Sequence, residues 1–190
     1  MANNFTNSTV EAIRKRRAIR AYTSEKLTEE QIDTLVEAAL WSPSAVNAQP
    51  WHITVITDQE LILQLEAELV AEMKRTGDEA LRKRLESRNN KALYDTPLFF
   101  SISSRDSRGY DTIDAGIMAQ TICLAAQSMG LGSVMIGSMR SLFQSDRGDY
   151  WRERLGFPEG YDYILGVCVG HANMEGKERE IDRNKVSYIK

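Results

Sequence analysis

Few residues of this 190-residue chain are spaced for catalysis by side chains alone. The sequence contains no H-E-x-x-H motif, no G-x-S-x-G motif, no P-loop and no cluster of Cys and His residues that would hold a metal. Its two histidines, His52 and His171, lie inside and at the end of apolar β-type segments, which favours a structural role. An enzyme with this inventory takes its reactivity from a cofactor, so we predict neither a catalytic side chain nor a metal site.

Three stretches carry groups that suit a flat, phosphorylated cofactor. The run RKRRAIR, residues 14–20, places five cationic side chains within seven residues, and guanidinium groups bind phosphate through charge-assisted hydrogen bonds. The turn-rich segment SPSAVNAQPW, residues 42–51, offers backbone and side-chain amides. The segment GLGSVMIGS, residues 130–138, is apolar and glycine-punctuated, so its backbone can lie close against a flat ligand. Together these features suit flavin mononucleotide (FMN).

Composition limits the other uses of the basic run. Lys and Arg number 24 against 27 Asp and Glu, so the net charge of −3 provides no broad positive field for a nucleic acid. A basic nucleic-acid arm stays open as a weaker alternative. With 42% hydrophobic and 27% charged residues, the chain is predicted to form one globular domain over residues 1–190.

The predicted location is the cytoplasm, without membrane attachment. The stretch MANNFTNST lacks the basic and apolar regions of a signal peptide, and no apolar run approaches the length of a membrane span. Cys123 and Cys168 lie far apart in apolar surroundings, which is typical of buried, reduced thiols.

Helix and strand patterns alternate along the chain. The capping boxes Ser8-x-x-Glu11 and Thr28-x-x-Gln31 predict two helices, of which the first carries the basic run on its last turn and the second ends before Pro43. Apolar spacing over residues 58–94 predicts two more helices, broken near Gly77. Strands are predicted at residues 51–57, 98–103, 161–170 and, at the C-terminus, 186–189.

The stretch from Ala115 to Met129 is apolar or small nearly all the way round and is followed by Gly130 as a helix stop. Such a helix is predicted to be central or to lie in a subunit interface. The expected fold is therefore α+β, with helices flanking one small mixed sheet.

These stretches, in this order, resemble the nitroreductase family of FMN-dependent oxidoreductases. The resemblance covers most of the chain, from IRKRRAIRAYTSEKL through SPSAVNAQPW and DAGIMAQTICLAAQSMGLGSVMIGS to GHANMEGKEREIDRNKVSYI. It implies an interlocked α+β homodimer that holds FMN at the subunit interface, with the C-terminal segment embracing the partner.

The resemblance also assigns residues to the FMN site. The first flavin motif of the family matches Arg16, Arg17, Ala18 and Arg20. The loop that reaches FMN from the neighbouring subunit matches Pro43, Ser44, Ala45 and Asn47. An amide placed against the isoalloxazine ring matches Asn89, with Asn90 nearly as good. The segment that backs the ring matches Ile136 and Gly137, and the late element that closes on the phosphate matches Lys177 and Arg179.

Two positions depart from the family pattern. Ala18 stands where the family commonly has Ser, which removes one neutral hydrogen bond to the phosphate, worth about 1 kcal/mol. Met135 stands where related chains often have Trp, which leaves a more adaptable wall beside the ring.

The activity implied is a two-stage reaction. NADH or NADPH delivers a hydride to the flavin and leaves, and a small-molecule acceptor such as a nitroaromatic compound or a quinone then takes its place. Arg20 is the expected cation at the ring edge where negative charge develops on reduction. Two alternatives stay open: a specialised flavin reductase or dehalogenase of the same fold, and a flavin-binding module without rapid turnover.

Overall fold

The computed structural model describes residues 7–77, 79–105 and 109–189. Most of MANNFTNST, on which the predicted location depends, lies outside these ranges. Within them the helices are α1 (Ser8–Lys15), α2 (Glu29–Leu40), α3 (Gln59–Thr76), α4 (Glu79–Glu86), α5 (Asp111–Ser128), α6 (Arg140–Phe143) and α7 (Gly148–Arg154). The strands are β1 (Trp51–Ile56), β2 (Leu98–Ser104), β3 (Gly132–Ile136) and β4 (Asp162–Gly170).

The four strands form one sheet in the order β1-β2-β4-β3. Every ladder in it is antiparallel, and a bulge between Ile102 and Ser103 shifts the register of β2 against β4. The parallel component of the structure is an isolated bridge from Ala18 to Ser133, which extends the sheet past β3. The α+β class is confirmed, and the mixed character of the sheet is limited to this bridge.

Hydrophobic cores lie on both faces of the sheet because side chains alternate along the central strand β2. Phe100 and Ile102 pack with α2 and α5, for example against Met118. Phe99 points to the opposite face and packs with α3, α6 and α7, where Trp151 is almost fully buried. Helix α5 packs against β4 and β3, and it also contacts α1, the helix that precedes most of the basic run.

Most predicted elements are present. The Thr28–Gln31 capping box forms as expected, and α3 and α4 are separated at Gly77. Helix α5 begins at Asp111, four residues before its predicted start, and Gly130 follows it with a φ of 74°. Both cysteines are free and buried.

The cap of α1 was predicted one residue too late. Asn7, in an extended conformation, accepts a hydrogen bond from the Val10 amide at 2.9 Å, and Asn caps a helix as well as Ser does. Helix α1 ends at Lys15, so only Arg14 and Lys15 lie on its last turn. The rest of the basic run is non-helical.

Two strand predictions need correction. Residues 132–136 form the edge strand β3, although the glycines around them pointed only to a close backbone approach. Residues 186–189, predicted as a strand, are exposed and belong to no strand of the described chain. No strand among the described residues pairs with them, and a β-type pattern without such a partner does not form a ladder.

Candidate functional site

The basic run leaves α1 and runs along the edge of the sheet. The Ile19 amide donates to the Ser133 carbonyl oxygen at 3.0 Å, next to the Ala18–Ser133 bridge. The Tyr22 hydroxyl donates to the carbonyl oxygens of Ile19 and Cys168, at 2.9 and 3.3 Å. Burial raises the pKa of Tyr22 far above its ordinary value, so the hydroxyl stays a donor. These bonds fix the backbone that carries the arginines.

The segment after β4 runs antiparallel to residues 21–23, which directly follow the basic run. The Thr23 amide donates to the His171 carbonyl oxygen, and the Asn173 amide donates to the Ala21 carbonyl oxygen, each at 2.9 Å. Farther along, the backbone at Gly176 lies against the aliphatic part of the Arg17 side chain. The structure therefore brings the two ends of the chain together, as the resemblance implies.

Lys177 follows this contact directly. Both Lys177 and Arg179 are exposed, and neither forms an ion pair with any residue that the structure describes. Lys177 is thus close in sequence to the contact with Arg17, whereas Arg179 lies two residues farther along the exposed tail.

The arginines of the run have different surroundings. Arg17 turns back and donates from Nη1 to the carbonyl oxygens of Arg14 and Arg16, at 2.6 and 2.9 Å. It thereby caps the carboxyl end of α1, where a cation is favoured by the helix dipole. Arg16 is half-buried, and its charge opposes the burial that raises the pKa of Cys123. Arg20 is exposed; its backbone amide donates to Met174 Sδ at 3.1 Å, and its Nη1 makes a long contact of 3.5 Å with the Ala18 carbonyl oxygen.

Residues 43–47 connect α2 to β1 through a 3-10 turn, Ala45–Asn47. The Ala45 amide donates to Asp114 Oδ1 on α5 at 3.2 Å, and Ser44 Oγ accepts from the Gln49 amide at 2.9 Å. Asn47 has a φ of 54°, in the left-handed region that Asn tolerates better than most residues. Internal bonds therefore hold this loop in one shape.

In the described part of the chain, the loop and Arg20 line two different cavities. Pro43 and Asn47 line a cavity of about 410 Å³ together with Trp41 and Gln49. Arg20 lines a different one, of about 280 Å³. The implied arrangement, in which the loop serves the FMN of the neighbouring subunit, stays a prediction.

Asn89 and Asn90 have different surroundings, and the assignment of either amide to the ring stays a prediction. Asn89 lines the same cavity as Arg20. The Asn90 carbonyl oxygen Oδ1 is buried and has no hydrogen-bond partner in the described part of the chain. Both residues have positive φ, 52° and 57°, which bends the chain sharply after α4.

Ile136 and Gly137 lie where β3 ends. Ile136 is buried, and its carbonyl oxygen accepts a hydrogen bond from the Tyr163 hydroxyl. Gly137 is exposed, and a Cβ atom added there would have no atom of the chain within 4 Å. Met135, one residue earlier, is partly exposed. The end of β3 therefore presents a side-chain-free backbone surface.

Two features near the site were not predicted from the sequence. Glu66 is buried on α3, where its carboxylate accepts a hydrogen bond from the Leu93 amide and lies 3.9 Å from Lys91 Nζ. Arg88 donates to the Tyr94 hydroxyl at 2.9 Å. A signal for Glu66 existed, because a carboxylate between the apolar positions 62, 65 and 69 of a helix needs a buried partner. No local pattern marked Arg88.

Other kinds of site receive no support from the described ranges. Within residues 7–77, 79–105 and 109–189, no three His, Cys, Asp or Glu side chains are grouped to hold a metal ion. Among the helices described, none is both long enough and apolar enough to cross a membrane.

Comparison with known proteins places the chain. A protein from Vibrio harveyi named NADPH-flavin oxidoreductase is 32% identical over 193 residues, covering 91% of this chain and 70% of that protein. A nitroreductase with bound FMN from Desulfitobacterium hafniense has a crystal structure that matches with a TM-score of 0.93 and 31% identity, covering 98% of this chain and 100% of that one. The model of the nitroreductase family matches residues 13–171, and the chain belongs to that family.

Proposed function

We propose that this chain is an FMN-dependent oxidoreductase that takes a hydride from NADH or NADPH and passes two electrons to a small, electron-poor acceptor. The observation that carries the proposal is the meeting of the basic run with the segment after β4, through Gly176 on Arg17. This contact gathers cations from both ends of the chain beside the glycine-ended strand β3. Family membership and the relatives named for flavin reduction support the same activity.

The residues present fit FMN. Arg16, Arg20 and Lys177 supply positive charge for a phosphate from two chain segments. The open backbone at Gly137 leaves room for a flat ring, since a Cβ atom added there would meet no described atom within 4 Å apart from those of its two chain neighbours. Asn89, which carries a side-chain amide, lines the same cavity as Arg20.

FMN supplies the redox chemistry when it is bound, accepting the hydride and returning two electrons to the acceptor. The chain supplies binding and electrostatics. Arg16 and Lys177 would hold the phosphate, Asn89 would offer its amide to the ring, and Arg20 would provide a positive charge that favours the reduced cofactor. The nicotinamide leaves as NAD⁺ or NADP⁺. The acceptor gains two electrons and two protons, of which one proton originates in the hydride and the other comes from solvent. We propose that donor and acceptor use one pocket in turn, with nitroaromatic compounds or quinones as acceptors.

We further propose a homodimer in which each FMN receives residues from both subunits. Support comes from the outer face of α5, where Ile113 and Ile117 are exposed beside Gly116. The apolar tail residues, which are also exposed, would embrace the partner; they are Ile181, Val186, Tyr188 and Ile189. The two buried free thiols and the nicotinamide donor are consistent with a cytoplasmic location.

Purification tests the cofactor directly, because an FMN protein is yellow. A colourless protein that fails to take up added FMN would contradict the proposal. A protein that purifies with nucleic acid and without flavin would contradict it as well. Anaerobic NADH or NADPH should then bleach the flavin absorbance, whereas a flavin that stays oxidised would favour a binding module. Steady-state rates with a nitroaromatic compound or a quinone should give parallel double-reciprocal lines. Intersecting lines would exclude the two-stage scheme.

A specialised flavin reductase is the second candidate. Two Bacillus subtilis relatives are named FMN reductase, and the one named for NADPH is 29% identical over 196 residues, covering 96% of this chain and 73% of that protein. Free FMN as the acceptor, tested against a nitroaromatic compound at equal concentration, separates the two activities.

A further inference from the structure

The cavity beside Arg20 and Asn89 is positively charged. Its volume is about 280 Å³, and its lining includes Arg20, Arg88 and Lys91 but only one carboxylate, Asp95. Sites for whole drug-sized ligands span about 300–1,000 Å³, so this cavity suits one aromatic ring or one ionised substituent. Its net charge favours an anion.

The charge of Lys91 is largely compensated. Lys91 Nζ lies 2.6 Å from Asp95 Oδ1 and 3.9 Å from Glu66 Oε2. The hydrogen bond to Asp95 accordingly raises the pKa of Lys91. A cation held between two carboxylates offers little net charge to a ligand, so the free positive charge of the cavity comes from the two arginines.

Arg88 is held in place without a carboxylate. Its Nη1 donates to the Tyr94 hydroxyl at 2.9 Å, and its guanidinium carbon lies 5.7 Å from the centre of the Tyr94 ring. In the described part of the chain it forms no ion pair, although its side chain is half-buried. A cation stacked on an aromatic ring is oriented but not neutralised, which leaves its remaining N–H groups available for an anion.

The backbone after α4 is shaped to hold this pair. Tyr94 and Asp95 have φ values of 62° and 57°, and Asn89 and Asn90 have similar values. A bulky aromatic residue rarely adopts this left-handed conformation, so the surrounding contacts must enforce it. Glu66 provides one such contact, since it binds the amide of Leu93 immediately before Tyr94.

We propose that Arg88 binds an anionic group, a phosphate or a carboxylate, on a substrate that occupies this cavity next to the flavin. The inference rests on the proposed function, which puts Arg20 and Asn89 on FMN. Two sources can present such a group: a carboxylate on the electron acceptor, or the 2′-phosphate that distinguishes NADPH from NADH. Arg88 is then a specificity-determining residue for acceptor or donor.

The test uses FMN-loaded protein and two matched substrate pairs. Reoxidation of the reduced protein is followed by anaerobic stopped flow with 4-nitrobenzoate and with uncharged 4-nitrobenzamide. Reduction is followed with NADPH and with NADH. We expect Arg88→Gln to lower the second-order rate constant about tenfold more for the anionic member of one pair than for its neutral or unphosphorylated counterpart, and Arg88→Lys to restore part of the difference.

The matched control is Lys83→Gln. Lys83 lies on α4, pairs with Glu79 at 2.6 Å and does not line the cavity, so this variant loses the same charge nearby. It should leave unchanged the ratio of the rate constants for 4-nitrobenzoate and 4-nitrobenzamide, and also the ratio for NADPH and NADH. A loss confined to 4-nitrobenzoate identifies the acceptor as the source of the anion, and a loss confined to NADPH identifies the donor.

Equal effects of Arg88→Gln on both members of both pairs would overturn the inference. If that variant fails to fold, the native protein provides a second test. Raising the salt concentration should lower the rate constant for the anionic or phosphorylated substrate of a pair more than that for its counterpart, and equal salt dependence would refute the proposal. A protein that never binds or reduces FMN contradicts the proposed function instead. The two failures are therefore distinguishable.

Discussion

Gly176 and Arg17 are packed so closely that a Cβ atom at position 176 would overlap Cβ and Cγ of the Arg17 side chain. The contact joins the two ends of the chain, so we expect Gly176→Val to push the C-terminal segment and Lys177 away from the basic run. FMN should bind at least about tenfold more weakly, because a charge-assisted bond to phosphate contributes about 1.5–3 kcal/mol. Fluorescence titration with FMN measures this. Unchanged FMN affinity would show that the contact does not position the site.

Arg16 and Arg20 should matter to FMN in a way that Lys15 does not. Either arginine changed to Gln is expected to weaken FMN binding about 10- to 100-fold through loss of one charged hydrogen bond. Lys15→Gln is the control, because Lys15 is an exposed residue paired with Glu11 at 3.6 Å. The dissociation constants of the three variants decide, and equal losses in all of them would indicate a diffuse field rather than specific contacts.

Gly137→Ala separates folding from cofactor binding. The added methyl group would meet no atom of the chain within 4 Å, so the melting temperature of the apoprotein should change little. If the open space beside Gly137 receives the flavin ring, the methyl group should reduce FMN affinity and shift the flavin absorbance spectrum. A variant that binds FMN with native affinity and spectrum would place the ring elsewhere.

A pH-dependent ion pair joins α3 to the start of α7. Glu68 accepts hydrogen bonds from Arg147 Nε and Nη2, both at 3.1 Å, and from Trp151 Nε1 at 2.8 Å. The bond from Arg147 is the main cause that lowers the pKa of Glu68. A lowered folded-state pKa stabilises the protein above the ordinary glutamate value of 4.5, and this stabilisation is lost as the pH falls through the folded-state pKa.

We therefore expect Glu68→Gln to lower the free energy of unfolding by up to about 1 kcal/mol at pH 7, a small value because the carboxylate is partly exposed. The difference from the native protein should shrink below pH 4.5 and vanish in stronger acid. Urea unfolding across this pH range provides the measurement. Glu153→Gln, at an exposed position of α7, serves as the control, and a pH-independent effect would assign the loss to packing.

The outer face of α5 should control assembly. Ile113→Glu is expected to produce a monomer that loses FMN, because the proposed site needs the loop at residues 43–47 from the other subunit. Leu63→Glu on α3 is the matched control and should leave the dimer intact. The two positions are similarly exposed in the single chain, Leu63 at 53% and Ile113 at 58%. Sedimentation with detection at flavin wavelengths reports mass and cofactor together. A flavin-loaded monomer of Ile113→Glu would contradict the shared site.

The amino-acid sequence by itself determined the elements whose signals are local. The Thr28 capping box, the break at Gly77 and the burial of β2 follow from neighbouring residues, because hydrogen bonds to a helix end and the alternation of apolar side chains act over a few positions. The order of the stretches along the chain also indicated the family. Asn7 and Ser8 were nearly equal candidates for the N-cap of α1, and the prediction of Ser8 from the sequence was wrong.

Only the tertiary structure decided which distant residues meet. Strand β3 was not predicted because glycines interrupt its pattern, and it forms because β4 supplies its hydrogen bonds. The β-type pattern at residues 186–189 forms no strand in the described chain. In the same way Gly176 lies on Arg17, and Arg88 lines the same cavity as Arg20. Such contacts depend on packing between segments up to about 160 residues apart, whose free energy no local pattern encodes.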